Sequence, residues 1–386
     1  VGSKNHEVVA QYLVKELKEL GLSPTIQEGF TLSDGGTLVK SKNILAKIKG
    51  SSSDKALLLL SHYDSAPHTL SPGASDDASG VATILESVRA FLYNKTAHKN
   101  DIIILFSDAE ELGLNGAALF VTQHQWAKNV GLVLNFEARG SSGPSYMLME
   151  TNKGNANMVK AFTDGKADYP VSNSLMYSIY KMLPNDTDLT VFREQGNIQG
   201  FNFAFIDGHY NYHTQQDDVQ HLNKTTLAHQ GSYLMPLLKY FANTDLNQIT
   251  SPNSEDYVYF NTPFYFVSYP FSWIIPMLII AFGLVFTFVF IGLGKHVLRI
   301  DEVLKGFEGI KTHEVSVKVP VLDNTQDMIA FSETLEQEKE RLTVPAFIMR
   351  QHGTYAWGRN LFEAKRHLET AEYLFEVDWK FSNESK

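Results

Sequence analysis

The sequence predicts an α/β fold: a mixed, mostly parallel sheet flanked by helices, followed by one transmembrane helix and a small α+β segment. Three observations lead to this prediction. Short apolar runs alternate with segments of helical spacing within residues 1–248, an uncharged apolar run follows at 273–293, and the composition becomes that of a soluble segment after residue 302. Alternating strands and helices are typical of a sheet covered by helices on both faces.

The elements of the first region are short and have clear boundaries. Predicted helices cover 7–20, 81–92 and a segment after Gly113, and predicted strands cover 56–60, 102–106 and 132–136. Gly21 ends the first helix, and the loop 140–143 follows the last of these strands. Because ligands bind at the carboxyl ends of strands in such sheets, polar residues just beyond each strand are the candidates for a site.

The apolar run is about as long as a helix that crosses a bilayer. The alternative is a buried core helix. The length, the absence of polar periodicity and the nearby Tyr269 and Trp273 favour a membrane span. We therefore predict a transmembrane helix at 272–294 and a linker at 249–271, between a large α/β region at 1–248 and a tail at 302–386.

Charges on the two sides of the span predict its orientation. Lys295 and Arg299 follow the span, whereas Glu255 and Asp256 precede it. By the positive-inside tendency, the region before the span faces away from the cytoplasm, towards the periplasm, the extracellular space or an organelle lumen. The start at Val1 shows no secretory signal and fits a position inside a longer precursor.

Composition restricts the chemistry. The chain has 33 Lys+Arg against 43 Asp+Glu, a formal net charge of -10, which argues against a nucleic-acid partner. It has no cysteine, so disulfides, thiolate metal sites and thiol nucleophiles are excluded. A metal must therefore be bound by His, Asp and Glu.

Acidic and imidazole side chains follow three of the predicted strands. His62 and Asp64 come after the first strand, Glu110 and Glu111 after the second, and Glu137 after the third. A loop between the first two strands adds two carboxylates directly before a helix, those of Asp76 and Asp77. A Tyr-His-Thr sequence near the end of the region adds another imidazole, that of His213.

A pair of zinc ions about 3.5–4 Å apart needs a carboxylate that bridges both ions and terminal ligands for each. We predict five ligands: His62, Asp76, Glu111, Glu137 and His213. Asp76 is the natural bridge. Asp64 lies two residues from His62, so on an extended segment it points the same way and can orient the imidazole. Glu110 is not needed as a ligand and can take a proton from the attacking water and pass it to the leaving amine.

Each of these features is weak when taken alone. A His-x-Asp sequence is usually incidental, and the Glu110-Glu111 pair would normally be a solvated helix start. Asp76-Asp77 before a helix is more often an N-cap than a ligand. Their joint placement at strand ends is what supports a metal centre.

Five motifs resemble those of the di-zinc exopeptidase family that includes aminopeptidase Y and bacterial leucyl aminopeptidase: SHYDS, GASDDASG, SDAEELG, NFEARG and YHT. The chain is most similar to the membrane-anchored branch with endoplasmic reticulum metallopeptidase and vacuolar membrane protease, and the stretch 183–194 supports that placement. The resemblance implies two Zn2+, the five ligands above, Glu110 as general base, and Asp64 behind His62. It also implies hydrolysis of the N-terminal bond of a peptide substrate by a metal-bound hydroxide, although the sequence leaves open whether a free amino terminus or a free carboxyl terminus is bound.

Two alternatives remain open for the first region. A glutaminyl cyclase or another acyltransfer enzyme on the same fold would, by family resemblance, work with one metal. His209 precedes His213 by about one helical turn, so a second imidazole at the site is conceivable. Gly208 and the aromatic surroundings argue against a helix there.

The tail resembles the carboxyl-terminal part of methylthioribulose-1-phosphate dehydratase, a zinc enzyme of the class II aldolase family. We expect a strand at 314–321 and a helix at 361–376. The resemblance makes His352 one of three zinc histidines, but the sequence contains no His-x-His pair to supply the other two. A single imidazole cannot bind a catalytic zinc, so we predict an incomplete, inactive fragment, and dehydratase activity is the less favoured alternative.

Overall fold

The computed structural model describes the chain except for residues 34, 53, 96, 153, 184–185, 252–254, 301–302, 313 and 385–386. Contacts between Cα atoms divide it into two units, Val1–Ile274 and Ile275–Lys386. The predicted fold class is confirmed: the first unit contains a mixed sheet flanked by helices, and an apolar helix and a small sheet follow it.

A seven-stranded sheet forms the centre of the first unit. In chain order its strands are β1 (Thr25–Leu32), β2 (Leu38–Ile48), β3 (Ala56–His62), β4 (Asp101–Ser107), β5 (Val130–Ala138), β6 (Ser142–Glu150) and β7 (Gly200–Asp207). Their order across the sheet is β1-β2-β4-β3-β5-β7-β6. The four central strands are parallel to one another, whereas both edges are antiparallel. The carboxyl ends of the parallel strands therefore meet at one edge of the sheet.

Eight α-helices belong to the described part of this unit: α1 (Lys4–Glu19), α2 (Ala78–Tyr93), α3 (Asn115–Gln123), α4 (Ala156–Asp164), α5 (Ser174–Tyr180), α6 (Asp188–Glu194), α7 (Lys224–Phe241) and α8 (Leu246–Thr250). Short 3-10 helices lie at Gln125–Asn129, His209–Asn211 and Phe271–Trp273. The first two predicted helices correspond to α1 and α2, and the predicted strands correspond to β3, β4 and β5.

Two apolar cores lie on opposite faces of the sheet. Leu57 and Leu59 pack with α1, α2, α4 and α7, whereas the alternate residues Leu58 and Leu60 pack with α3 and α6. Successive side chains of a strand point to opposite faces, so a strand buried on both faces is apolar throughout. This explains why β3 is a continuous apolar run in the sequence.

The segment predicted as a linker, 249–271, contains a β-hairpin. Its strands are β8 (Tyr257–Asn261) and β9 (Phe266–Pro270). Tyr259 is 1% exposed, and Phe266 packs against it in the larger of the two cores. Tyr259 and Phe266 anchor the hairpin in that core, so the segment folds as part of the first unit.

The second unit begins one residue into α9 (Ile274–Ile300). The stretch Phe271–Ile291 is the one candidate among the described residues that is long and apolar enough to cross a membrane, and none of it is buried. A core helix would be covered by the rest of the chain. The alternative of a buried core helix is therefore not what the structure shows.

The tail forms a three-stranded sheet with two helices. Its elements are β10 (Val321–Leu322), β11 (Ala346–Met349), β12 (Gly353–Ala356), α10 (Met328–Gln337) and α11 (Leu361–Glu384), with 3-10 helices at Val303–Gly306 and Lys339–Arg341. The predicted strand 314–321 is wrong, because only its last residue is in a strand. Alternating apolar residues there pack against α11 without a partner strand for the backbone, as Val317 and Val319 show.

Candidate metal centre

Three parallel strands deliver the candidate ligands to one edge of the sheet. His62 is the last residue of β3 and lies opposite Ser107, the last residue of β4. Glu137 lies near the end of β5, and its carboxylate is 3.7 Å from Nε2 of His62. The register of the sheet therefore brings together groups that are 75 residues apart in the sequence.

A backbone carbonyl group fixes which nitrogen of His62 carries a proton. Its Nδ1 lies 3.0 Å from the carbonyl oxygen of Asp64. Because a carbonyl can only accept, Nδ1 carries a proton, and Nε2 is the nitrogen left to bind a metal when the ring is neutral. This is the arrangement of an imidazole that binds a metal through Nε2.

The carboxylate of Asp76 lies between two histidines. Its Oδ1 is 3.0 Å from Nε2 of His62, and its Oδ2 is 3.1 Å from Nε2 of His213. Each carboxylate oxygen thus faces a different imidazole. This is the placement that a bridging ligand requires.

Two groups of possible ligands surround Asp76. One consists of His62, Asp77 and Glu137, and the other of Asp76, Glu111 and His213. Within each group, one ligand atom from every residue lies within 4.8 Å of the others. The structure therefore brings all five predicted ligands together, in two adjoining sets.

The contacts of the Glu111 carboxylate suit a bound metal ion better than a hydrogen bond to His213. Its Oε1 is buried and lies 2.9 Å from Nε2 of His213, yet it has no hydrogen-bond partner of acceptable geometry. A buried carboxylate oxygen without such a partner is costly. An ion shared by the carboxylate and the imidazole would remove that cost, so the residues present fit a divalent cation.

Asp64 contributes more than the support of His62. Its carboxylate lies 3.5 Å from Nδ1 of His62 and accepts the backbone N–H groups of Glu110, at 3.0 Å, and Glu111, at 3.2 Å. One buried side chain therefore positions a ligand histidine, a ligand carboxylate and the predicted base. The sequence suggested only the first of these contacts.

Asp77 was considered in the sequence only as an N-cap. Its side chain does cap α2, accepting the N–H of Gly80 at 3.1 Å, and it also accepts the hydroxyl of Ser61. Its carboxylate nevertheless belongs to the group around His62. A residue can serve as both a cap and a neighbour of a metal, so the N-cap pattern did not exclude a role at the site.

Two further aspartates support the site and were missed in the sequence. Asp217 accepts the backbone N–H groups of Ser75, at 2.7 Å, and Asp76, at 3.2 Å, which holds the bridging residue in place. Asp188 is buried in the first turn of α6 and accepts the hydroxyl of Ser107 at the end of β4. No spacing signal in the sequence links either aspartate to the strands that it contacts.

The electrostatics of the cluster reflect its crowded carboxylates. Burial raises the pKa of Asp76, but hydrogen bonds with His213 and His62 outweigh it and hold the value at about 2. Burial lowers the pKa of His213, whereas its contacts with Asp76 and Glu111 raise the value to about 9. Burial raises the pKa of Glu137 to about 8. A dication would reverse this balance, because it favours ionised carboxylates and neutral imidazoles.

Glu110 lies beside both groups of ligands without belonging to either. Burial raises the pKa of its carboxyl group well above the ordinary value, and the nearby Glu137 raises it further. It also lines the two cavities that open onto the cluster. This position suits a group that exchanges protons with a substrate.

One of these two openings is a cavity of about 310 Å³ beside the cluster. One wall consists of apolar side chains from α5 and the residues after it: Met176, Ile179 and Leu183. Leu148 and Ile206, from the adjacent strands, complete the apolar lining. The cavity can accept an apolar group next to the metal ligands.

His209 lies in a 3-10 helix and is absent from both ligand groups. Its Nδ1 lies 2.7 Å from the backbone oxygen of Arg139, and its ring stacks on Tyr212. It lines the cavity without contacting the cluster. In the tail, the Nδ1 of His352 contacts the hydroxyl of Tyr355 at 2.7 Å.

The two units of the chain match two different protein families. Residues 43–238 match the model of peptidase family M28, and residues 299–379 match the model of the class II aldolase and adducin N-terminal domain. The two resemblances read from the sequence are confirmed by these matches.

Curated relatives match the first region. Endoplasmic reticulum metallopeptidase 1 of Rattus norvegicus is 32% identical over 207 residues, 53% of this chain and 23% of that protein. The vacuolar membrane protease of Candida dubliniensis is 34% identical over 236 residues, 60% of this chain and 24% of that protein. The chain therefore spans less than a third of the length of either relative.

Among solved structures, glutaminyl cyclase of Macrostomum lignano superposes with a TM-score of 0.51 at 17% identity, covering 62% of this chain and 84% of that one. This likeness shows the fold of the first unit.

Proposed function

The chain belongs to peptidase family M28, and from that premise we propose that its first unit is a two-zinc aminopeptidase that hydrolyses the N-terminal bond of peptides. The relatives named as metallopeptidases support a peptidase, and the apolar cavity beside the ligands suits a peptide side chain. We also propose that residues 1–248, together with the hairpin, form the catalytic unit.

The position of Asp76 is the observation that carries the proposal. A single metal would need only one face of its carboxylate, whereas its two oxygens face His62 and His213 at 3.0 and 3.1 Å. We assign His62, Asp76 and Glu137 to one ion and Asp76, Glu111 and His213 to the other. Asp77 supports the first group from the base of α2.

When bound, the zinc pair would polarise the peptide carbonyl and make a water molecule more acidic at neutral pH. The chain's own residues do the rest. Asp64 holds the backbone of Glu110 and Glu111, so the base and a ligand keep a fixed separation. The apolar wall at Met176, Ile179 and Leu183 receives the side chain next to the scissile bond.

Glu110 is the proposed proton carrier. One oxygen of its carboxylate accepts a proton from the attacking water, and the carboxylic acid so formed donates it to the nitrogen of the leaving amine. Glu110 lines both cavities that open onto the cluster, so its carboxyl group faces the space where both steps take place. The carboxylate is then regenerated for the next turnover.

Metal analysis and an exopeptidase assay test the proposal together. The purified chain should contain about two zinc per molecule and release the N-terminal residue of short peptides. N-acetylated peptides serve as the control, because an aminopeptidase requires a free amine. About one zinc per chain together with cyclisation of N-terminal glutamine would instead favour a glutaminyl cyclase, and release of the C-terminal residue would show a carboxypeptidase.

We further propose that α9 anchors the protein in a membrane with the first unit on the non-cytoplasmic side. The support is the exposed apolar surface of Phe271–Ile291 and the basic residues that follow it in the sequence. The tail, in this proposal, is an incomplete class II aldolase domain without catalysis. Reporter fusions at either end of the helix would measure the orientation.

A further inference from the structure

A charged side chain at the site, that of Arg139, lies against an aromatic ring without a carboxylate partner among the described residues. Arg139 follows β5 two residues after Glu137 and lines both cavities that open onto the cluster. Its guanidinium carbon lies 5.5 Å above the ring of Tyr212. No carboxylate among the described residues forms an ion pair with it.

The other arginines of the first unit are paired. Arg193 binds the buried Glu150 at 3.0 Å, and the exposed Arg89 binds Glu86 at 2.6 Å. Arg139 is half-buried and faces a site rich in carboxylates, yet it lacks such a contact. A guanidinium that is withdrawn from water without an anion is costly, and its planar fork matches a carboxylate.

The backbone fixes where Arg139 points. Its N–H donates to the carbonyl of Phe205 at 2.8 Å, and its carbonyl lies 2.7 Å from Nδ1 of His209. Its side chain is stacked on Tyr212, the residue before the ligand His213. The guanidinium is therefore held at the junction of the two cavities, where Glu110 also lies.

We propose that Arg139 binds the free carboxylate of the leaving residue, so that dipeptides are the preferred substrates. This inference rests on the proposed peptidase function. With the scissile carbonyl beside Glu110, the terminal carboxylate of a dipeptide lies one residue further, about 3.5 Å along an extended chain. That places it at the same junction, within reach of the guanidinium.

The test compares leucyl-leucine with leucyl-leucinamide, which differ only in the terminal carboxylate. A charge-assisted pair contributes about 1.5–3 kcal/mol, so the wild-type chain should prefer the acid by about 10- to 150-fold in kcat/KM. Arg139→Gln should reduce this ratio to near one, and Arg139→Lys should retain part of it. Arg89→Gln is the matched control and should leave the ratio unchanged.

Binding provides a second readout that does not depend on turnover. Calorimetric titration of the zinc-loaded Glu110→Gln variant should show tighter binding of the acid than of the amide, and adding Arg139→Gln should remove the difference. Equal binding of acid and amide would overturn the inference. Absence of hydrolysis by the wild type, with the binding preference intact, would instead overturn the proposed function.

The carboxylate could also come from an acidic side chain. Leucyl-aspartamide and leucyl-asparaginamide separate this case, because both have an amidated carboxyl terminus and only the first has a side-chain carboxylate. No preference between them is expected. A preference for the aspartamide that Arg139→Gln removes, without any preference for leucyl-leucine over its amide, would overturn the assignment to the terminal carboxylate.

Discussion

The first unit and the tail both contain a histidine from a zinc-enzyme motif, but among the described residues only the histidine of the first unit has carboxylates beside it. His62 lies at the end of a central parallel strand and meets Asp76 and Glu137 there. His352 lies in the turn between β11 and β12 and contacts the hydroxyl of Tyr355. A ligand motif becomes a site only when several strand ends converge on it.

The hydrophobic cores of the first unit and the tail also differ, in size. The sheet of the first unit is covered on both faces, and Phe136 and Phe203 are fully buried and stacked beneath the site. The tail has two small clusters around residues such as Phe307 and Phe331. A site that holds crowded carboxylates costs stability, and a large core can offset that cost.

The largest expected effect in this comparison is on turnover. Glu110→Gln should lower kcat by about 100- to 10,000-fold, because it removes the proton carrier and leaves the ligands in place. Zinc content should stay at the wild-type level. Steady-state kinetics with leucyl peptides, together with elemental analysis, would show this, and unchanged turnover would mean that another group is the base.

The second-largest effect is expected on zinc content, and it compares His213 of the first unit with His352 of the tail. His213→Ala should lose about one of two zinc ions, because it removes a terminal ligand. His352→Ala should lose none and leave peptide hydrolysis unchanged. If both variants lost zinc, the tail would contain a metal centre and the contrast would fail.

A smaller effect is expected at Asp64. Asp64→Asn keeps the size of the side chain but weakens the acceptor for the amides of Glu110 and Glu111. Loss of such a supporting contact should weaken zinc affinity by about 10- to 100-fold, which competition with a chelator measures. Asp323→Asn, an exposed tail aspartate paired with Arg350, is the control.

The smallest effect concerns the pH dependence of the zinc-free protein. The pKa of Glu137 is raised from 4.5 to about 8 and that of His213 from 6.5 to about 9. Both groups bind protons more tightly in the folded state than in the unfolded state. Their contribution to the free energy of unfolding is therefore complete below the pKa values of the unfolded chain, and it is lost as pH rises through the pKa values of the folded protein. The Tm of the zinc-free protein should therefore fall between about pH 5 and pH 9.

Zinc should remove that fall, because bound ions replace the protons. Thermal unfolding with and without a chelator measures the difference in Tm, which should widen as pH rises. A zinc-free protein that became more stable over this range would show that the histidine and carboxylate protons are not what holds the cluster together.

The sequence was sufficient for features that depend on local pattern. Continuous apolar runs indicated β3, β4 and β5, and the polar residues after them are the ones that converge. The hairpin at 257–270 was not foreseen, because its burial depends on packing of Tyr259 against distant elements. The same reason applies to Asp217, whose contacts with Ser75 and Asp76 join residues more than 140 positions apart.

The capping of the Glu110 and Glu111 amides by Asp64 joins the ends of two neighbouring strands. A slip of one residue between β3 and β4 would turn His62 to the other face of the sheet and break both contacts. Molecules with that error could not take up the ions. The amount of zinc bound during refolding should thus measure the fraction of molecules in which β3 and β4 have paired in the native register.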